Sequence, residues 1–419
     1  MTDAVPQTHP ERWLVATTEY AGLTAYTGGI GRHLAALLPA LVARGIDVDL
    51  VVFSADTALP DVDLGGVRIV GFVSTAGLPR LIELPLRTRR LKTILRRHGY
   101  DRVFLPEWGG LGSALPRSAP LVTNLATSLR LANAVSGLAV ADLPRLTRLV
   151  VAMQNRLEDR QIRRSAGLIS ISHAMLSRTE TLFRRLPPAR VVGNCIDVDG
   201  VAAAALRAPV PAGWPEADAP VVLFLGRLER RKGVTDAVAA FGAVSDRYGS
   251  AQLVLAGASG DRRFEPDQAE LLAAVPPEAR ERVVWLGHVG GDELYHAIAA
   301  SAVVLCPSRW EGFGNVALEV KAIGRPLVCT TGSGFDDFCT DGEDSLMVPP
   351  DDPAALADAI GRILDDDALA TRLGDTARVT ARRYTPTVIA SELVSAVDEL
   401  LGPAERHQPR PSPTNRRPS

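Results

Sequence analysis

Cysteine is scarce: Cys195, Cys306, Cys329 and Cys339 are the only four in 419 residues, and no two share a spacing that suits a metal site. Most lie in apolar runs, which argues for buried, reduced thiols rather than a disulfide framework or a zinc centre. Long hydrophobic runs are missing too. Nothing approaches about 18 continuous apolar residues, and the polar N-terminus lacks an apolar signal core. The expectation is a cytoplasmic protein that neither spans a membrane nor enters the secretory pathway. Charge of one sign is equally absent, with 46 Lys and Arg against 48 Asp and Glu and a net charge of -2, so no nucleic-acid partner is expected. The first 205 residues are nonetheless basic and the remainder acidic. Contact with an anionic surface is therefore confined to the first half.

What the chain does contain is organised around Pro307 to Pro326, which reads Pro-Ser-Arg-Trp-Glu-Gly-Phe-Gly-Asn-Val-Ala-Leu-Glu-Val-Lys-Ala-Ile-Gly-Arg-Pro. The apolar run Ala302 to Cys306 before it suits a buried strand, and Val316, Leu318, Val320 and Ile323 suit a buried helix start. The chain thus passes from strand through Gly312-Phe313-Gly314 into a helix N-terminus at Asn315 and Val316. Glycines let backbone N–H groups come close to a ligand, and the helix end favours an anion such as phosphate. Glu311 lies before the loop and Glu319 about a turn into the helix, so two carboxylates frame that site. Carboxylates bind phosphate poorly and accept from hydroxyls well. A ligand with hydroxyls at both ends and phosphate between them is a nucleotide sugar.

Short apolar runs recur along the chain with helical segments between several of them, and this predicts doubly wound parallel sheets. Trp13 to Thr17, Val48 to Phe53, Val67 to Val73, Arg102 to Leu105, Leu121 to Leu125, Leu168 to Ile171 and Val191 to Val192 form a first set. Val221 to Leu225, Gln252 to Ala256, Val283 to Leu286, Ala302 to Cys306 and Leu327 to Cys329 form a second. The predicted division is a first domain over 1–205 and a second over 215–385, with the Ala- and Pro-rich passage Val201 to Pro220 as linker. Pro386 to Leu401 is predicted to be a helix that crosses back to the first domain, and 402–419, rich in Pro, Arg and Ser, to be disordered.

Each sheet offers a strand-to-helix loop with chemistry. In the first domain Thr27-Gly28-Gly29-Ile30-Gly31 precedes a helical pattern, without Gly-x-Gly-x-x-Gly or a P-loop ending. Glu107 and Trp108 follow a strand's C-terminal end and, with Thr127, are candidate acceptor contacts. In the second domain Gly226-Arg227-Leu228-Glu229-Arg230-Arg231-Lys232-Gly233 follows its first strand, where Arg227 and Lys232 can clamp a pyrophosphate. Gly287-His288-Val289 follows another strand and is expected to touch a base through its backbone. Between Arg80 and Arg97 basic and apolar residues alternate; a solvated helix covering the sheet explains them, and an anionic membrane surface is the alternative. Three Asp-x-Asp triplets, at Asp47, Asp61 and Asp197, sit away from any phosphate loop, so no metal is expected.

The run Pro-Ser-x-x-Glu-Gly-Phe-Gly with its glutamate, seven residues and glutamate resembles the donor-site signature of the retaining GT-B glycosyltransferases of family 4. The Gly-Arg-x-x-x-x-Lys-Gly run, the Val191 to Asp197 element and the Asp341 to Pro350 passage are similar to that family's as well. The resemblance spans roughly residues 13–401 and is strongest in the second half. It implies two Rossmann-like domains facing a cleft, and transfer of a sugar from a nucleoside diphosphate to an acceptor hydroxyl. It further implies Glu319 on the ribose, Glu311 toward the sugar, and the Gly28-Gly29 loop across the cleft from the donor's phosphates. Relatives commonly carry a histidine where this chain has Ala126, so acceptor specificity is not carried over. A GT-B nucleotide-sugar epimerase and a catalytically silent sugar-nucleotide-binding scaffold are the other readings.

Overall fold

The computed structural model describes residues 10–215, 219–260 and 265–403; the expected tail beyond 403 lies outside them. Seven parallel strands build the first sheet: β1 (Arg12–Thr17), β2 (Asp47–Ser54), β3 (Arg68–Ser74), β4 (Arg102–Pro106), β5 (Leu121–Leu125), β6 (Gly167–Ser170) and β7 (Ala189–Val191), in the order β3-β2-β1-β4-β5-β6-β7. Six parallel strands build the second: β8 (Val221–Leu225), β9 (Gln252–Ala256), β10 (Val283–Gly287), β11 (Val303–Cys306), β12 (Leu327–Thr330) and β13 (Leu346–Val348), in the order β10-β9-β8-β11-β12-β13. Helices cover both faces, so the central strands are buried on both sides. Their sequences are therefore unbroken apolar runs rather than alternating ones. In both sheets the strand order reverses beside the first strand, at β1/β4 and β8/β11. Loops diverge there, and open sheets bind ligands at that point.

The helix Gly29–Ala43 buries Leu34, Leu37, Leu38 and Leu41 against β1 and β2. Against the same core packs the helix Pro386–Leu401, through Ile389, Ala390, Leu393 and Val397, so the end of the chain completes the first domain. The Arg80–Arg97 helix covers the sheet, with Leu91 in a core shared with Leu14, Val51 and Val103. Its Arg87 side chain is buried and pairs with Glu83.

Between the domains the structure departs from the sequence reading. Val201 to Pro220 was expected to be linker, but Val198–Arg207 is a helix, capped by the Asp197 carboxylate on the Gly200 N–H at 3.0 Å. Its Val198, Val201 and Ala205 pack with Leu294, Ala297 and Ile298 of the second domain. A run of alanines is a strong helix former, and one apolar stripe was enough to dock it. That same core continues through Phe313 and Phe335 to Leu125, Ile171 and Met175 of the first domain, which ties the two halves together.

Leu393 is buried in the first-domain core although it lies near the chain's end. Leu393→Ala should cost about 3 kcal/mol of stability, whereas Val379→Ala, on an exposed site, should change it by less than about 0.5 kcal/mol. Urea unfolding midpoints of the two variants decide whether the C-terminal helix belongs to that core.

Candidate active site

A cleft of about 550 Å³ lies between the C-terminal edges of the two sheets. Gly28, Gly29, Trp108 and Thr127 line it from the first domain, and Gly226, Arg227, Lys232, Glu311, Gly312, Phe313, Gly314, Asn315 and Val316 from the second. Gly287, His288 and Val289 are not among its walls.

The second-domain half is assembled at the β8/β11 switch point. Gly233 ends the turn that carries Lys232, with φ of 74°, and a Cβ there would lie 1.9 Å from the Pro307 carbonyl oxygen. Only glycine lets the two loops approach this closely. The approach sets the Lys232 ammonium on Glu311 Oε1, which also accepts from Ser308 Oγ at 2.9 Å. Burial pushes the Glu311 carboxyl up, but the charges of Lys232 and Arg231 and those two hydrogen bonds outweigh it and hold it below its ordinary value. Beside them Glu229 forms an ion pair with Arg227 at 2.8 Å and accepts from Arg231 at 3.1 Å. Arg231 lines the cleft and was missed, since nothing in the run Arg230-Arg231-Lys232 says which cation turns inward.

Gly314 caps the helix Asn315–Ile323 with φ of 102°, and a Cβ there would lie 2.2 Å from the Phe335 ring. The next turn carries Glu319, which is buried. Its Oε1 accepts from Arg32 Nη1 of the first domain at 3.0 Å, and its Oε2 is buried with no partner. Burial raises the carboxyl's pKa, and the Arg32 charge and hydrogen bond oppose that. Two further links cross the cleft: Asn315 Nδ2 donates to the Gly29 carbonyl at 3.3 Å, and Asn194 Nδ2 donates to Asn315 Oδ1 at 2.9 Å.

Of the first-domain expectations one is narrowed, since Gly28 and Gly29 do line the cleft, and one is corrected. The Gly28 N–H is not free for a phosphate: it donates to Glu19 Oε2 at 2.6 Å, while the Gly31 N–H donates to Glu19 Oε1 at 3.1 Å. The glycine loop instead brings its backbone against Asn315. Glu107 is not an acceptor contact. It is 1% exposed and stands behind the wall, where its Oε2 accepts from the Ala126 N–H at 2.8 Å. Burial pushes it up to about 8. Nearby Glu158, pushed up by burial to about 7, accepts from the Gly109 N–H at 2.9 Å and the Leu129 N–H at 2.8 Å. The two carboxyls brace the loops that carry Trp108, Ala126 and Thr127. His33 also lines the cleft; its Nδ1 accepts from the Cys195 N–H at 3.1 Å, and burial lowers it to about 4. The ring is thus neutral at pH 7, with its proton on Nε2.

Among known proteins, the profile described as Glycosyl transferases group 1 matches residues 219–366, and that described as Glycosyltransferase Family 4 matches residues 27–199. The D-inositol 3-phosphate glycosyltransferase of Acidothermus cellulolyticus is 32% identical over 364 residues, 81% of this chain and 78% of that one. The chain belongs to glycosyltransferase family 4. A glycogen synthase of Mycobacterium tuberculosis is 29% identical over 96% of this chain and 97% of its own length. Two solved structures share the GT-B fold. Sucrose-phosphate synthase from Thermosynechococcus elongatus has a TM-score of 0.72 at 22% identity, covering 93% of this chain and 99% of that one. Anabaena Alr3699/HepE in complex with UDP-glucose has a TM-score of 0.66 at 16% identity, covering 93% and 99%. This family 4 protein is a GT-B glycosyltransferase.

The buried Glu107 carboxyl makes stability depend on pH. Its folded pKa of about 8 exceeds the unfolded value, so the native state holds a proton that the unfolded chain has lost. Stability should therefore fall as pH rises from about 5 to 8, and Glu158 adds to the fall with the same sign. Glu107→Gln keeps an acceptor for the Ala126 N–H and removes the titration. Its melting temperature should exceed wild type at pH 8 and match it near pH 5.

Proposed function

We propose that the protein transfers a sugar from a nucleoside diphosphate donor to an acceptor hydroxyl with retention of anomeric configuration, using no metal and no cofactor. The observation that carries this reading is the set of three cations, Arg227, Arg231 and Lys232, gathered at one edge of the cleft beside Glu311. In this reading pyrophosphate oxygens replace the carboxylates of Glu229 and Glu311 as partners of Arg227 and Lys232, a fork and a point charge together. Glu311 then faces the sugar, and Gly226 with the Gly312 to Val316 turn brings backbone close to the phosphates. Glu319 lies behind the cleft's lining with its Oε2 buried and unpartnered, and in this reading that oxygen accepts a ribose hydroxyl.

The bond between sugar C1 and the pyrophosphate oxygen breaks with its electron pair left on that oxygen, where the cations stabilise the growing charge. The acceptor oxygen bonds to C1 from the same face, and its proton passes to the departing phosphate oxygen. A covalent route would need a free first-domain carboxylate. Among the described residues Glu19 is the one lining the cleft there, and both its oxygens are bound by backbone N–H groups. Closure of the cleft excludes water and so limits donor hydrolysis. A peripheral membrane contact would use the exposed Ile82, Arg89 and Arg90 of the Arg80–Arg97 helix, and co-sedimentation with anionic vesicles tests it.

Lys232→Ala or Arg227→Ala removes charge that acts as the leaving group develops, so each should lower kcat by about 10²-fold or more. NMR of the product should show the donor's anomeric configuration, and excess chelator should leave the rate unchanged. An inverted product would overturn retention; activity within a few-fold of wild type in both variants would overturn the clamp.

The two glutamates should separate. Glu319→Gln removes a contact made equally before and during reaction and should weaken calorimetric binding of the nucleoside diphosphate. Glu311→Gln should leave that binding nearly intact and lower kcat. A larger loss of affinity in Glu311→Gln would mean the donor lies the other way round.

A further inference from the structure

Two helix starts meet across the cleft, one from each domain. The helix Gly29–Ala43 and the helix Asn315–Ile323 are joined by two rungs, and in the outer one Asn315 Nδ2 donates to the Gly29 carbonyl at 3.3 Å. A turn further in, Arg32 Nη1 donates to Glu319 Oε1 at 3.0 Å. Residues three and four apart share one side of a helix, so Gly29 with Arg32 and Asn315 with Glu319 stand on the facing sides. The fold itself holds Arg32 against a carboxylate of the other domain.

The two partners sit in different surroundings. The Glu319 side chain is 4% exposed and that of Arg32 48%, so a cation on the cleft wall reaches a carboxylate standing behind it. Burial pushes the Glu319 carboxyl up, and the charge and hydrogen bond that oppose this both come from Arg32. Among the described residues nothing else bonds this carboxylate, and its Oε2 is buried with no partner. A buried oxygen in that state is an acceptor awaiting a donor, and its bond to a hydroxyl is strongest when the carboxyl is ionised.

We propose that Arg32 is a positioning residue for the nucleotide: from the first domain it holds Glu319 in place for a ribose hydroxyl, so that donor affinity in the second domain depends on the first. The inference rests on the glycosyl-transfer reading above, which puts the ribose at Glu319. Without Arg32 the carboxylate has no cation, and a buried one then takes up a proton or moves out. The ribose contact is lost, while Arg227, Arg231 and Lys232 remain for the phosphates.

Calorimetric titration of the purified full chain tests this with UDP, ADP and GDP, and then with the tightest binder of the three beside its 2′,3′-dideoxy form. Wild type should bind the ribonucleotide about tenfold more tightly than the dideoxy form. Arg32→Ala should weaken the ribonucleotide by about tenfold and leave the dideoxy form within about threefold, which abolishes the preference and shows that the variant is folded. Because the contact is made by one nitrogen, Arg32→Lys should recover most of the preference. Combining Arg32→Ala with Glu319→Gln should weaken binding no further than either alone, as expected of two residues that act together. Equal losses for both nucleotides in Arg32→Ala would place Arg32 on the phosphates or the base, and additive losses in the double variant would separate it from Glu319; either overturns the proposal. Nucleoside diphosphate release from a panel of nucleotide sugars checks the transfer reading separately: turnover without a ribose preference in wild type overturns the role of Arg32 alone, and a ribose preference erased by Arg32→Ala without turnover overturns transfer alone.

Discussion

A buried carboxylate is costly unless a cation meets it, and the cleft is built around two of them. Glu311 is met by Lys232 from the neighbouring loop, and Glu319 by Arg32 from the other domain. The first pair fixes how closely the loops after β8 and β11 must press, which is why Gly233 sits against Pro307. The second pair fixes how the domains face each other, since Arg32 reaches Glu319 from the first turn of the helix Gly29–Ala43. Asn315 bonded to Gly29 and Asn194 supports the same approach. The approach of the two sheets is thus marked by one charge pair, Arg32 with Glu319, beside the apolar core they share.

Glycines of the signature stretch have a structural reason that a ligand-centred reading overlooks. Gly314 admits the Phe335 ring, and Phe335 belongs to an aromatic cluster in which Phe313 stacks on Phe338 with centroids 4.8 Å apart. That cluster reaches Tyr384, whose hydroxyl donates to the Asp337 carbonyl at 3.0 Å. The loop proposed to hold phosphates is therefore anchored in the core that joins the domains. Backbone placed by packing rather than by the ligand needs little reorganisation when charge develops.

Most of the fold was legible because strands buried on both faces read as apolar runs whatever surrounds them. β8, β9 and β5 span the predicted residues. β13 was not separated from its flanks, since three residues, Leu346 to Val348, carry no period. The Val198–Arg207 helix was read as linker because alanines and prolines mix there, and its docking on the second domain depends on contacts that no local pattern encodes. The site divides in the same way. Arg227, Lys232 and Glu311 stand in short motifs, and the fold brings them to one cleft. Arg32, Glu19 and His33 acquire meaning only from partners placed by the fold; Arg32 and Glu319 are separated by 287 residues.

Pairing also bears on how the proposed chemistry divides binding from catalysis. Arg227, Arg231 and Lys232 already have Glu229 and Glu311 as partners, so a donor's pyrophosphate gains mainly the difference between two sets of anionic partners. In the ground state that difference is small. As the bond to the sugar breaks, negative charge grows on the leaving oxygen, while the charge on the two carboxylates stays constant. The exchange then favours the transition state over the bound substrate, the condition for raising kcat rather than only tightening KM.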